Sequence, residues 1–358
     1  MYLLSRSATR GAFIRGLLQP SPVAVAIAAT ILTLGIGFCF FRISPDFVAQ
    51  HGARYLPMSG RDHSFFVTNA ILELQQSEDT RPLLLIVGAS VTRASYGSEA
   101  SLERKILEST GRDVEVRVLC IGRQPLIQNI ANIDEVLTDK RPTTVVFGIG
   151  PGNFFSGDEV IRDIIEEPRL GYRSERINLE AERLGLASFR ITNNYFYDNL
   201  DFFMLRRLSP LKNVLSGPFE QEQTRYIGRN QKPPKKFHEH SMEVLARLDD
   251  FQEGMPYTFD LLNRSLERWR QFDSFKIIFS DMAVNPVFVR DYLGEDVRED
   301  YLARMRVWAA KQNVDFAMLQ PKVGLHPDDF FDWGHIRSAD AVRRLQDALI
   351  DRLEFAEL

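Results

Sequence analysis

Along residues 83–319 the chain repeats one arrangement: a short apolar run, then a longer stretch with apolar residues at helical spacing. The runs fall at 83–87, 114–119, 144–147, 275–280 and 314–319, each four to six residues rich in Val, Ile, Leu and Phe. Unbroken runs of this length suit strands buried on both faces of a parallel sheet. The intervening stretches, such as 101–109 and 126–138, carry helical periodicity. This alternation predicts an α/β fold, a three-layer α/β/α sandwich around a central parallel sheet. One interval breaks the rhythm: about 120 residues separate the third and fourth runs. That is too long for a loop, so 155–273 is expected to be a helical insertion in a domain spanning 81–358. Within it lie an aromatic cluster (Tyr195, Phe196, Tyr197, Phe202, Phe203) and a basic piece at 231–237, Gln-Lys-Pro-Pro-Lys-Lys-Phe, expected to be an exposed, mobile connector.

A different pattern precedes the sheet. Residues 22–41 contain no charge, and at 1.5 Å per residue they reach about 30 Å, the thickness of a bilayer's hydrocarbon core. Arg6, Arg10 and Arg15 stand before the run with no acidic residue among them, so the positive-inside rule assigns 1–21 to the cytoplasm. The run is long for a signal peptide, and Phe38, Phe40, Phe41 and Arg42 close it where a cleavage site needs small residues. An uncleaved single-span anchor in the lipid bilayer is therefore expected. Residues 42–80 are then a stalk and a lead-in helix, and the rest faces the far side of the membrane.

Composition narrows the function classes. With 44 Lys+Arg against 48 Asp+Glu the charge is −4, which gives no electrostatic reason for a nucleic-acid partner. Two cysteines, Cys39 and Cys120, exclude a disulfide scaffold and a cysteine-rich metal site.

Ligands of open parallel sheets bind beyond the carboxyl ends of the strands, so the residues following each run are the ones to read. The first run leads into Gly88-Ala89-Ser90, where Gly88 permits a tight turn and Ser90 opens the next helix. The second ends Cys120-Ile121-Gly122, and the third is followed by Gly148-Ile-Gly-Pro-Gly-Asn153. After the fifth comes Asp332-Trp-Gly-His335.

This ordered set resembles the SGNH hydrolases, the GDSL-like lipase/esterase superfamily. The resemblance implies Ser90 as nucleophile, Asp332 and His335 as its base pair, and Ser90, Gly122 and Asn153 as the oxyanion hole, with no metal and no cofactor. It covers about 83–353 without the insertion. Two departures are visible. Ala89 replaces the family's Asp before the serine, and Asn153 stands one residue later than usual, with Phe154 where an Asp is expected. With the anchor, this is similar to membrane-attached members that modify bacterial surface polysaccharides, such as the alginate acetylation proteins. The resemblance thus implies a serine esterase or O-acyltransferase in the bacterial inner membrane, its catalytic domain periplasmic or extracellular. The substrate would be an acylated glycan or envelope polysaccharide, and a membrane-bound acyl donor or acyltransferase the partner. Two alternatives stay open: a catalytically degenerate domain that binds glycan or an assembly partner, and a lipid or thioester hydrolase.

The remaining candidates are weaker. Gly148-x-Gly150-x-Gly152 fails dinucleotide-loop spacing, and Thr92 stands where a G-x-S-x-G elbow needs glycine. His238 and His240 lack a nearby third ligand and read as solvated. His326 is second to His335 as base, because it lacks an Asp three residues earlier. Arg93 is a candidate for steering an anionic substrate, against a solvated helix-face role. Trp333 is a candidate for stacking on a sugar ring, against core packing.

Overall fold

The computed structural model describes residues 21–154, 157–248 and 251–353. The arginines at 6, 10 and 15, and the cytoplasmic assignment of 1–20, lie outside the described residues. Five strands, β1 (Leu83–Gly88), β2 (Glu115–Cys120), β3 (Thr143–Ile149), β4 (Phe275–Asp281) and β5 (Asp315–Ala317), form one all-parallel sheet of order β2-β1-β3-β4-β5. All five match the apolar runs to within two residues at each end. The fifth is shorter than its run because Leu319 already begins a helical turn, Leu319–Val323.

Successive strand side chains point to opposite faces, which is how one apolar run feeds two cores. Leu83, Leu85 and Val87 join a core on one side with helices α2 (His63–Gln76), α5 (Leu126–Val136), α12 (Phe251–Trp269) and α13 (Glu295–Gln312). Leu84 and Ile86 join the other with α3 (Ser90–Tyr96), α4 (Glu99–Thr110) and α14 (Ala339–Ile350). The result is the expected three-layer α/β/α sandwich.

The insertion between β3 and β4 is helical: α6 (Gly157–Glu166), α7 (Glu175–Arg183), α8 (Tyr195–Asp198), α9 (Leu200–Leu205), α10 (Ser209–Ser216) and α11 (Pro234–Leu245), before α12. At the front of the chain, α1 (Pro22–Arg42) is a helix long and apolar enough to cross a membrane, and none of its residues is buried. Past α1 the chain joins the body at once. Val48, Leu56, Phe65 and Leu72 form a third core with Phe202 and Phe203 of the insertion. The segment expected as a stalk thus packs on the insertion.

Candidate active site

Strand β1 delivers Ser90 through a turn that depends on glycine. Gly88 has φ +151°, and a Cβ built on it would lie 2.4 Å from Thr92 Oγ1. A Cβ on Gly148 of β3 would lie 2.0 Å from the same atom. Both residues must therefore lack a side chain for α3 to settle onto the sheet edge with Ser90 at its first position.

His335 and Asp332 come from the loop after β5. The loop is closed by an antiparallel bridge between Phe330 and Ile336, and α14 starts only at Ala339. The Phe331 N–H donates to the His335 carbonyl at 2.7 Å. Asn285, fully buried after β4, holds the loop from outside, donating from its backbone N to Trp333 O (2.8 Å) and from Nδ2 to Asp332 O (3.0 Å).

These elements bring three predicted residues into a relay. Ser90 Oγ lies 2.9 Å from His335 Nε2, and His335 Nδ1 lies 2.8 Å from Asp332 Oδ1 and 3.1 Å from Oδ2. A carboxylate only accepts, so Nδ1 carries the imidazole proton and Nε2 is left to accept from the Ser90 hydroxyl. Asp332 Oδ1 also accepts the backbone N–H groups of His335 (3.0 Å) and Gly334 (3.2 Å). Burial by itself would raise the Asp332 pKa. The His335 ring beside it and these N–H groups outweigh burial and hold the carboxyl well below its usual range.

Gly122 sits against the nucleophile, since a Cβ on it would lie 3.8 Å from Ser90 Oγ. Asn153 lies beyond the carboxyl end of β3, next to β1 in the sheet, and is 3% exposed. Its Oδ1 accepts the Gly150 N–H at 2.8 Å, which fixes the amide plane and leaves the Nδ2 hydrogens for another acceptor. The 3-10 turn Pro151–Asn153 absorbs the extra residue of the motif.

Arg93 does not reach solvent. It is 3% exposed and donates from Nη1 to the Cys120 carbonyl at 2.9 Å, tying α3 to the end of β2. The expected steering role is corrected accordingly: the guanidinium serves the scaffold under the site. Trp333 is half-buried, its ring 5.8 Å from Phe288 and 6.2 Å from His335, so it borders the relay.

Three residues of the insertion reach the relay without having been singled out for it. The Tyr226 ring lies 4.2 Å from the His335 ring at 32°. Lys232 Nζ and His240 Nδ1 each stand 3.5 Å from Asp332 Oδ2, and 2.6 Å from each other. Lysine only donates, so His240 Nδ1 accepts. Burial, the largest influence, together with Lys232, lowers the His240 pKa against the pull of Asp332. The basic piece is thus docked, with the Lys232 N–H bonded to Phe331 O at 2.9 Å, and α11 starts inside it. His238 turns away to the Tyr292 hydroxyl at 3.1 Å, so the two histidines serve different partners.

No protein-family model matches this chain, and no curated protein matches it. Among solved structures it is similar to TesA at 15% identity and TM-score 0.39, over 76% of this chain and 98% of that one. It is also similar to the lipase/acylhydrolase from Enterococcus faecalis (10%, TM-score 0.33, 76% and 94% covered). A third is LAE5, an alpha/beta hydrolase enzyme from the metagenome of Lake Arreo, Spain (12%, TM-score 0.32, 76% and 94% covered). Overlaps this loose carry no weight for function, so the reading below rests on the geometry of the site.

Proposed function

We propose that the chain is a membrane-anchored serine esterase or O-acyltransferase that works through an acyl-Ser90 intermediate. The observation that carries this reading is the continuous relay from Ser90 Oγ through His335 to Asp332, at 2.9 and 2.8 Å. A serine hydroxyl is a weak nucleophile until a neighbouring base takes its proton. Here His335 Nε2 takes it as Oγ attacks the acyl carbonyl, and Asp332 stabilises the imidazolium that forms. The Ser90 and Gly122 N–H groups and Asn153 Nδ2 would receive the oxyanion; one such donor is typically worth on the order of 10²–10³ in rate. Collapse breaks the acyl–oxygen bond, and the leaving alkoxide takes the proton from His335. Water or a glycan hydroxyl then repeats the attack on the acyl-enzyme, with His335 again as base.

The family resemblance, together with Gly122 packed against the hydroxyl, favours a small acyl group, acetyl above all. Helix α1 favours a polymer or acyl donor at the membrane surface, on the side opposite the basic N-terminal segment. An acetylated envelope polysaccharide meets both conditions.

The test is to follow product release and intact mass for the detergent-solubilised chain and its Ser90→Ala variant with an activated acetyl ester. A one-acetyl mass gain, or turnover, that vanishes in the variant supports the reading. Equal background from both folded proteins refutes it.

A further inference from the structure

Helices α9 and α10 expose apolar side chains in the wrong sense for a protein in water. The inward face of α9 is apolar, Phe202 and Phe203, but from Arg206 through α10 it is polar. Arg206, Ser209 and Asn213, at helical spacing, are all 5% exposed or less. Arg206 pairs with Asp62 at 2.7 Å, and Asn213 Nδ2 donates to Pro57 O at 3.1 Å. Their outward face is apolar. Met204, Leu205, Leu208, Leu211, Val214 and Leu215 are between 51% and 79% exposed. Helices on soluble proteins turn such a stripe to the core, and a contiguous exposed one marks an interaction surface.

The neighbourhood identifies what covers it. Asn194, at the start of α8, donates from Nδ2 to the carbonyl of Phe40 at 2.8 Å, and α8 packs on the last turns of α1. Ile191 and Tyr197, on either side of Asn194, are 55% and 47% exposed. The apolar stripe therefore begins where the proposed anchor ends. Its exposed charges are Arg207 and Lys212 against Asp201 of α9, a balance of one positive charge. Apolar side chains with flanking cations are what an interfacial helix presents to anionic headgroups.

We infer that α9 and α10 are an interfacial membrane-docking face, seated in the headgroup region of the leaflet from which α1 emerges. The inference rests on α1 being a membrane anchor. Its occupant is the lipid surface of the protein's own membrane, enriched in anionic lipid. Docking would hold the body against the bilayer at a second point and restrict how it swings on the anchor.

The experiment uses the full chain in vesicles of phosphatidylcholine and phosphatidylglycerol, with Cys39→Ser to remove the thiol in α1. Cys120 is fully buried and stays; cysteines introduced one at a time by Leu211→Cys, by Leu215→Cys and, on the far helix α14, by Arg343→Cys carry an environment-sensitive fluorophore. Resistance to carbonate extraction is scored in the same samples. Docking predicts at least threefold stronger quenching by headgroup-proximal spin-labelled lipid at 211 and 215 than at 343. It also predicts a fall to the level of 343 at the 215 label when Leu208→Gln and Leu211→Gln are combined. Equal quenching at all three positions in a carbonate-resistant chain overturns the docking face and leaves the anchor standing. Labels at 211 and 215 shielded from aqueous iodide yet untouched by lipid quencher also overturn it, in favour of a protein partner. Extraction by carbonate overturns both readings together.

Discussion

Replacing Asp332 by Asn changes one atom of the relay and tests most of its logic. The amide keeps an oxygen for the His335 and Gly334 N–H groups, which the carboxylate accepts at 3.0 and 3.2 Å. Its NH₂ then falls at the position of Oδ2, while the oxygen stays 2.8 Å from His335 Nδ1 and still accepts its proton. What is lost is charge: the imidazolium of the transition state no longer faces an anion. With charge centres about 4 Å apart and an effective dielectric near 20, that attraction is about 4 kcal/mol. At 1.36 kcal/mol per decade this is about 10³ in rate.

The assay is single-turnover acylation by an activated acetyl ester, read by intact mass, beside a thermal unfolding scan. Asp332 is 2% exposed and Lys232 stands 3.5 Å away, so Asp332→Asn also leaves a cation without its partner. The Lys232 side chain is 23% exposed and can turn to water, so the variant is expected to fold with a lowered midpoint. Combining Ser90→Ala with Asp332→Asn should cost no more than Ser90→Ala alone, because the relay acts as a unit. A folded Asp332→Asn variant that acylates within tenfold of the parent would refute the assignment.

Three further outcomes are expected. Gly122→Ala should fold, since its Cβ would make only ordinary contact at 3.8 Å from Ser90 Oγ, but the methyl would crowd the attacking atom. Acylation should fall on the order of 10–10² with an unchanged unfolding midpoint. Glu180, 1% exposed, is pushed up by burial, but hydrogen bonds from Arg264, Arg183 and Tyr257 outweigh this and bring its pKa down to about 2. Its contribution, about 3 kcal/mol, is present above its unfolded pKa of about 4.5 and is lost between there and pH 2. Glu180→Gln should therefore lower stability at pH 7 and flatten its acid dependence in that window, as chemical denaturation in detergent would show. His63 is buried with neither ring nitrogen bonded, and burial, with Arg93 and Arg225 nearby, lowers its pKa to about 3. The unfolded chain takes up this proton first, so stability should fall by up to about 1.4 kcal/mol per unit as pH drops from 6.5 towards 3. Unfolding midpoints of His63→Leu against pH should lack that slope.

The sheet was legible because strands buried on both faces leave an unbroken apolar run, which the helices packed on the sheet do not. The relay residues were legible because each follows a strand, and the carboxyl ends of parallel strands share one edge. Arg93 misled for a local reason: one turn into α3, its charge is spent on the Cys120 carbonyl, an acceptor that spacing cannot reveal. Tyr226, Lys232 and His240 left no local signal at all. Their place at the relay depends on bonds between segments about 100 residues apart, such as Gly228 N to Arg337 O and Lys232 N to Phe331 O.

Those bonds also connect the two proposals. Leaving α10, the chain crosses Gly60, where the Glu222 N–H meets the Gly60 carbonyl at 2.8 Å and Arg61 pairs with Glu222 at 2.7 Å. It then runs beside the His335 loop, with Arg337 Nη1 donating to Arg229 O at 2.8 Å and Gln231 Nε2 to Pro327 O at 3.2 Å. It ends with Lys232 beside Asp332. One continuous strap thus leads from the apolar face of α10 to the carboxylate of the relay. The sheet alone supplies Ser90, Gly122 and Asn153, so the insertion is not needed to assemble a nucleophile. What it adds is the ring over His335, the cation beside Asp332 and the outward leucines, all on one stretch of chain between two fixed ends. A domain with no membrane surface to address has little use for that combination. An enzyme that must meet its acyl donor or acceptor at the bilayer gains from it a site held at a set height above the lipid.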